Sequence, residues 1–176
     1  MAPRRGRPFG GIEFAPQPSD RLLLVGDETA VPAVARILED LPADATGTAW
    51  LEVPAQEDVL DLRFPAGIGV TWLPRQGQAY GDPLCRAVRR HLGVAAPACE
   101  GSADDVVPDL WETPTYSSSG EPVVARSHPA RGLYAWVAGE AGTVSRQRRC
   151  LVREVGLDRS QVAFMGYWRQ GVAMRS

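Results

Sequence analysis

Arg21-Leu22-Leu23-Leu24-Val25-Gly26-Asp27-Glu28-Thr29-Ala30-Val31-Pro32-Ala33 decides how the rest of the chain is read. Leu22 to Val25 is an apolar run too short for a helix, and Gly26 closes it, as expected of a buried strand. From Val31 the apolar residues fall at Val31, Val34, Ala35, Leu38 and Leu41, the spacing of one helix face. Either Asp27 or Thr29 can serve as the N-cap, and Pro32 is tolerated in a first helical turn. A buried strand feeding a helix start is where open α/β folds bind ligands, because free amides and the positive dipole end face the crevice. The G-x-G-x-x-G dinucleotide fingerprint is absent. In its place stand one glycine and two acids, which would repel a pyrophosphate laid against them. Asp27 and Glu28 therefore either cap the helix or accept hydrogen bonds from a ligand's hydroxyls or amides.

The remaining chain repeats this strand–helix pattern. Gly47–Val53 reads as a second strand stopped by Pro54, Gln56 to Asp61 as a helical turn, and Ile68–Leu73 as a third strand ended by Pro74. Asp82-Pro83 opens a helix with Asp82 as N-cap, an apolar face of Leu84, Ala87, Val88 and His91 or Leu92, and a stop at Gly93. Leu133–Glu140 is a fourth strand that mirrors the first: an apolar run, a glycine, an acid, then a helix from about Gly142 to Val155. Gly156 suits a left-handed C-cap, with Leu157 folding back. Val162–Met165 is a fifth strand ended by Gly166. The result is an α/β fold, a five-stranded parallel sheet of order 3-2-1-4-5 with helices on both faces. The Gly26-Asp27-Glu28-Thr29 and Gly139-Glu140-Ala141-Gly142 turns then both line the switch-point crevice. Residues 1–20, rich in Pro, Gly and Arg, read as a linker, and 21–176 as the domain. Residues 94–131 form a long irregular insertion in which Asp109–Thr113 and Pro122–Arg126 could pair as a hairpin.

Composition excludes several classes. In 176 residues the net charge is −2, with 44% hydrophobic and 23% charged residues, so no bulk attraction to nucleic acid or anionic membrane is implied. No apolar run approaches the length of a membrane span. The basic start has no hydrophobic stretch behind it, so it is no secretory signal, and a cytoplasmic location is the default. Cys85, Cys99 and Cys150 are odd in number and widely spaced, which argues against a disulfide framework or a zinc site.

Four features could carry chemistry. Arg146, Arg148 and Arg149, read in the first half of the last helix, oppose its dipole unless an anion lies there; otherwise they pair with surface acids. Tyr167-Trp168-Arg169, read as just past the last strand, either stack on a planar cofactor and contact an anion or close the edge of the core. Glu52 ends the second strand, where an acid can hold a ribose diol, while Arg75 near the end of the third could face a 2′-phosphate. The choice between NADH and NADPH stays open on the sequence.

Leu22 to Ala33, Leu110-Trp111-Glu112-Thr113-Pro114, Tyr134 to Ala141 and Val162-Ala163-Phe164-Met165-Gly166-Tyr167-Trp168-Arg169-Gln170-Gly171 resemble, in order and spacing, the siderophore-interacting protein family. The resemblance runs from about Gly6 to Gly171. It implies a flavoenzyme related to ferredoxin–NADP reductases, passing electrons from NADH or NADPH through FAD to a ferric siderophore. It covers only the nucleotide-binding domain; the N-terminal FAD-binding barrel is missing, and Met1 falls where the interdomain linker would be. By resemblance Gly26, Asp27, Glu28, Thr29 and Ala30 meet the adenosine side of FAD. Gly139, Glu140 and Ala141 border the nicotinamide, Tyr167 and Trp168 lie near the flavin ring, and Arg169 belongs to the surface that receives the anionic siderophore; Arg146, from the dipole argument, is the other candidate for binding that substrate. A half-site for FAD, a barrel supplied in trans and self-association through the undocked barrel face are the expectations that follow. The contrasting expectation is a stand-alone, non-catalytic dinucleotide-binding module or a truncated remnant.

Overall fold

The computed structural model describes residues 13–95, 110–113 and 132–172. Its sheet forms around the opening stretch. β1 (Arg21–Gly26) leads into α1 (Val31–Asp40), followed by β2 (Gly47–Val53), β3 (Ile68–Pro74), α2 (Asp82–Leu92), β4 (Trp111–Glu112), β5 (Leu133–Glu140), α3 (Ala141–Arg148) and β6 (Val162–Trp168). The order across the sheet is β3-β2-β1-β5-β6-β4. The five parallel strands take the order expected, but the sheet has six strands and is mixed. β4 adds antiparallel to β6, pairing Trp111 with Met165 and Glu112 with Phe164. Within the segment read as one arm of a hairpin, Trp111–Glu112 pairs with the last strand; the other arm, Pro122–Arg126, lies outside the described residues.

The apolar runs are unbroken because both sheet faces are covered. Leu22 and Leu24 face α1 with Val34, Ile37, Leu38, Trp136 and Met165. Leu23 and Val25 point the other way, to α2 and α3, with Leu84, Val88, Val144, Leu151 and Phe164. Ile37, absent from the expected apolar face, is fully buried. At the opposite end of the strands from the crevice, Phe14 meets Tyr134 edge-on, and the Tyr134 hydroxyl accepts from the Ala15 amide.

Local boundaries differ for identifiable reasons. Ala30, not Asp27 or Thr29, occupies the N-cap of α1, and no side chain caps it. Gly81, not Asp82, is the N-cap of α2. The last helix is regular only to Arg148; residues Arg149–Glu154 widen into a π-helical segment. Arg146 and Arg148 sit in the last turn of α3, and the helical backbone continues from it through the π segment to Glu154. Gly156 has φ +78, and the Leu157 amide donates back to Leu151 O at 3.0 Å. β6 does not stop at Gly166. A register shift at Gly139/Glu140 sets Gly139 opposite Gly166 and Glu140 opposite Trp168, carrying the strand through Trp168.

Candidate functional site

The carboxyl ends of β1 and β5 meet at Asp27. Its side chain is buried, and its Oδ1 accepts from the Thr29 amide at 2.9 Å and the Thr29 hydroxyl at 2.5 Å. Oδ2 accepts from the Glu140 amide at 2.7 Å and from Trp168 Nε1 at 3.0 Å. One carboxylate thus ties the β1–α1 turn, the end of β5 and the end of β6 together. Gly139 permits this approach: it has φ +141, and a Cβ there would lie 2.6 Å from the Asp27 carboxylate.

Glu140 is the N-cap of α3, its Oε2 accepting from the Thr143 amide at 2.7 Å and the Thr143 hydroxyl at 3.2 Å. Its Oε1 accepts from the Gln170 amide at 3.4 Å. Ala141 begins α3, buried beneath Gly166. The expected meeting of the Gly26–Ala30 turn with Gly139, Glu140 and Ala141 is present in the geometry, as is Trp168.

A second cluster lies at the ends of β2 and β3. Arg75 makes a bidentate pair with Glu28, NH1 to Oε2 at 2.7 Å and NH2 to Oε1 at 2.8 Å, and NH1 also reaches Glu52 Oε1 at 3.1 Å. Its guanidinium lies 4.0 Å over the Tyr80 ring, and Tyr80 meets Trp168 edge-on. Glu52 is fully buried and accepts from the Gly81 and Leu84 amides at the start of α2. It has no face left for a ribose. Burial raises the Glu52 pKa, against the lowering pull of hydrogen bonds from Gly81, Arg75 and Leu84. For Glu28, burial also raises, but the hydrogen bond from Arg75 and a backbone bond prevail and hold the carboxyl below its usual range. The Arg75 pKa is raised, chiefly by the Glu28 hydrogen bond.

Arg146 closes the arrangement. NH1 pairs with Asp82 Oδ1 at 2.8 Å, and NH2 donates to Tyr80 O at 2.6 Å and Thr143 Oγ1 at 3.4 Å. Arg148 makes a bidentate pair with Glu112, at 2.7 and 3.1 Å. Both arginines thus meet acids of the chain itself. Tyr167 is half-buried, 6.2 Å from Trp111 between ring centroids, and its pKa is raised by burial and then by the Asp27 charge. Arg169 follows β6 and is exposed. Tyr80, Gly81 and Thr143 were not singled out by sequence reading. The one signal was the Gly77–Gly81 spacing, which marks a turn beside the crevice without saying that it folds over it.

The model of the siderophore-interacting protein family matches residues 19–171. The chain belongs to the siderophore-interacting protein family. Among relatives, ferric vibriobactin reductase ViuB of Vibrio cholerae is 28% identical over 162 residues, covering 92% of this chain and 48% of that one. Uncharacterized protein Rv2895c of Mycobacterium tuberculosis is 34% identical over 175 residues, covering 96% of this chain and 53% of that protein. Two solved structures agree in fold. The siderophore-interacting protein SipS from Aeromonas hydrophila superposes with a TM-score of 0.60 at 29% identity, over 89% of this chain and 54% of SipS. A siderophore utilization protein from T. fusca does so with a TM-score of 0.61 at 30% identity, over 91% and 48%. The chain spans about half the length of the curated relatives it matches.

Proposed function

We propose that the chain is the nucleotide-binding half of an FAD-dependent ferric-siderophore reductase that takes electrons from NADH or NADPH. The observation that carries this reading is the Asp27 junction. It joins the β1–α1 and β5–α3 turns at the switch point of the sheet, where open α/β folds bind dinucleotides. Family membership and the likeness to a ferric vibriobactin reductase supply the redox context.

The local chemistry suits a dinucleotide better than the sequence suggests. Four hydrogen bonds turn the Asp27 carboxylate into the protein, though its charge remains, and Glu28 is paired with Arg75 on the β2–β3 side, which leaves the β5 side of the crevice for the pyrophosphate. The start of α1 carries no side-chain cap, so its dipole end faces the crevice without a competing side-chain oxygen. A bound nicotinamide would supply a hydride and a bound flavin would hand electrons on singly to iron(III), chemistry that belongs to the cofactors. The chain's own residues do the positioning. The Gly26–Ala30 turn would face the dinucleotide, with Ala30 itself buried beneath it, and Gly139, Glu140 and Ala141 would border the reacting ring. In this reading Trp168 would lie beside the ring, Tyr167 packs on the other face of β6 against Trp111, and exposed Arg169 would face the anionic siderophore, while Arg146 braces α2 against α3.

As a nucleotide-binding half, this domain is expected to bind FAD weakly on its own, since the cofactor's ordering would be offset by fewer contacts. The visible spectrum after adding FAD and desalting tests this. Retained flavin bands would mean the domain alone holds the cofactor; reduction of a ferric chelate by NADH or NADPH would then be measured directly. A colourless protein that regains activity when a flavin-loaded barrel is added would support complementation in trans. A protein that binds neither flavin nor dinucleotide would overturn the reading.

A further inference from the structure

The Arg75 cluster lies on the β2–β3 side of the crevice, where a dinucleotide fold meets the adenosine ribose. An arginine at this place would ordinarily be a phosphate fork. Here both of its terminal nitrogens are taken by Glu28, one of them also by Glu52, and its face is covered by Tyr80. The arginine's side chain is 7% exposed and Glu52's is sealed; Glu28, at 28%, is the member of the trio open to solvent. Two carboxylates around one guanidinium leave a net negative charge, and Asp27 stands next in sequence. A 2′-phosphate, itself close to doubly negative, would have to displace Glu28 from a bidentate pair and sit beside it. A free ribose diol can instead donate to the outward lone pairs of Glu28.

Resting on the dinucleotide-binding reading above, we infer that Glu28 is the residue that selects the nucleotide: by occupying Arg75 it excludes the 2′-phosphate and makes the chain take NADH in preference to NADPH. Glu52 fixes Arg75 from beneath, through the start of α2, so that Arg75 does not turn away from Glu28. Glu28 is thus a specificity residue and Glu52 a positioning one.

Isothermal titration calorimetry of the full chain with NADH and with NADPH tests this without catalysis. The wild type is expected to bind NADH about tenfold or more tighter, the ratio that one charge-assisted contact supplies. Glu28→Gln keeps a hydrogen bond to Arg75 and removes the charge; it is expected to tighten NADPH binding and bring the ratio toward unity. Glu28→Ala, which frees both nitrogens, is expected to go further in the same direction. Tighter NADPH binding by the wild type, or a ratio unmoved by either substitution, would overturn the inference and leave dinucleotide binding intact. Absence of binding by both nucleotides would overturn the dinucleotide reading, and the inference with it.

Discussion

Asp27 accepts from the Glu140 amide and the Trp168 indole with one oxygen and from Thr29 with the other. An asparagine presents one acceptor and one donor, so Asp27→Asn turns an N–H group toward at least one existing donor. The expected loss is about 2 kcal/mol, the range for a hydrogen bond to a charged acceptor together with a stranded buried donor. Urea denaturation followed by tryptophan emission would read it, with Trp168 as reporter. Glu28 gives a pH prediction. Its folded pKa lies below the ordinary 4.5, so its contribution is fully present above that value and is lost as pH falls through the lowered one. In Glu28→Gln that part of the acid sensitivity disappears, which unfolding midpoints between mildly acidic and strongly acidic buffer would show. The sequence made Asp27 and Glu28 conspicuous as acids at a crevice, but not their partners. Arg75 is 47 residues from Glu28, and Trp168 is 141 from Asp27; periodicity carries no information about such pairs.

At the scale of elements, strands and helices were legible where an apolar run or a 3.6-residue period was long. β1, β2 and β5 stand where expected, because buried parallel strands are dense in Leu, Val and Ala and end at Gly or Pro. The pairing of β4 with β6 is not legible, since two residues carry no period of their own. β6 was cut short because Gly166 looked like a stop; its amide instead donates to Leu110 O at 2.8 Å, the contact that brings the edge strand in. Arg148 and Glu112 tether that edge to α3. Both side chains are mostly buried, and a double-mutant cycle of Glu112→Ala and Arg148→Ala is expected to give a coupling of about 1 kcal/mol. Where the π segment ends, Gly156→Ala forces a Cβ into the left-handed region and is expected to destabilise by about 1 kcal/mol. A coupling near zero, or a Gly156→Ala chain as stable as the parent, would contradict these assignments.

The whole molecule is a sheet covered on both faces, with its two edges treated differently. β4 covers the β6 edge, whereas among the described residues β3 is the last strand at the other side. Leu60 and Phe64, in the segment leading to β3, are exposed. No helix of the described residues is long and apolar enough to cross a membrane. We propose that the exposed apolar side chains of Leu60 and Phe64 support self-association. Sedimentation velocity across a dilution series is expected to show a concentration-dependent mass, and Leu60→Ser with Phe64→Ser is expected to reduce it. A single sharp monomer boundary at every concentration would contradict the expectation.

The closeness of Gly139 to Asp27 also constrains the order in which this protein can change. With 2.6 Å between a would-be Cβ and the carboxylate, any side chain at 139 collides with the acid as it stands. A lineage drifting away from this arrangement must first shorten or redirect residue 27, leaving Trp168 and the Glu140 amide without their acceptor, before position 139 can vary. Substitutions at the two positions are therefore expected to be non-additive, the double change costing less than the sum of the single ones.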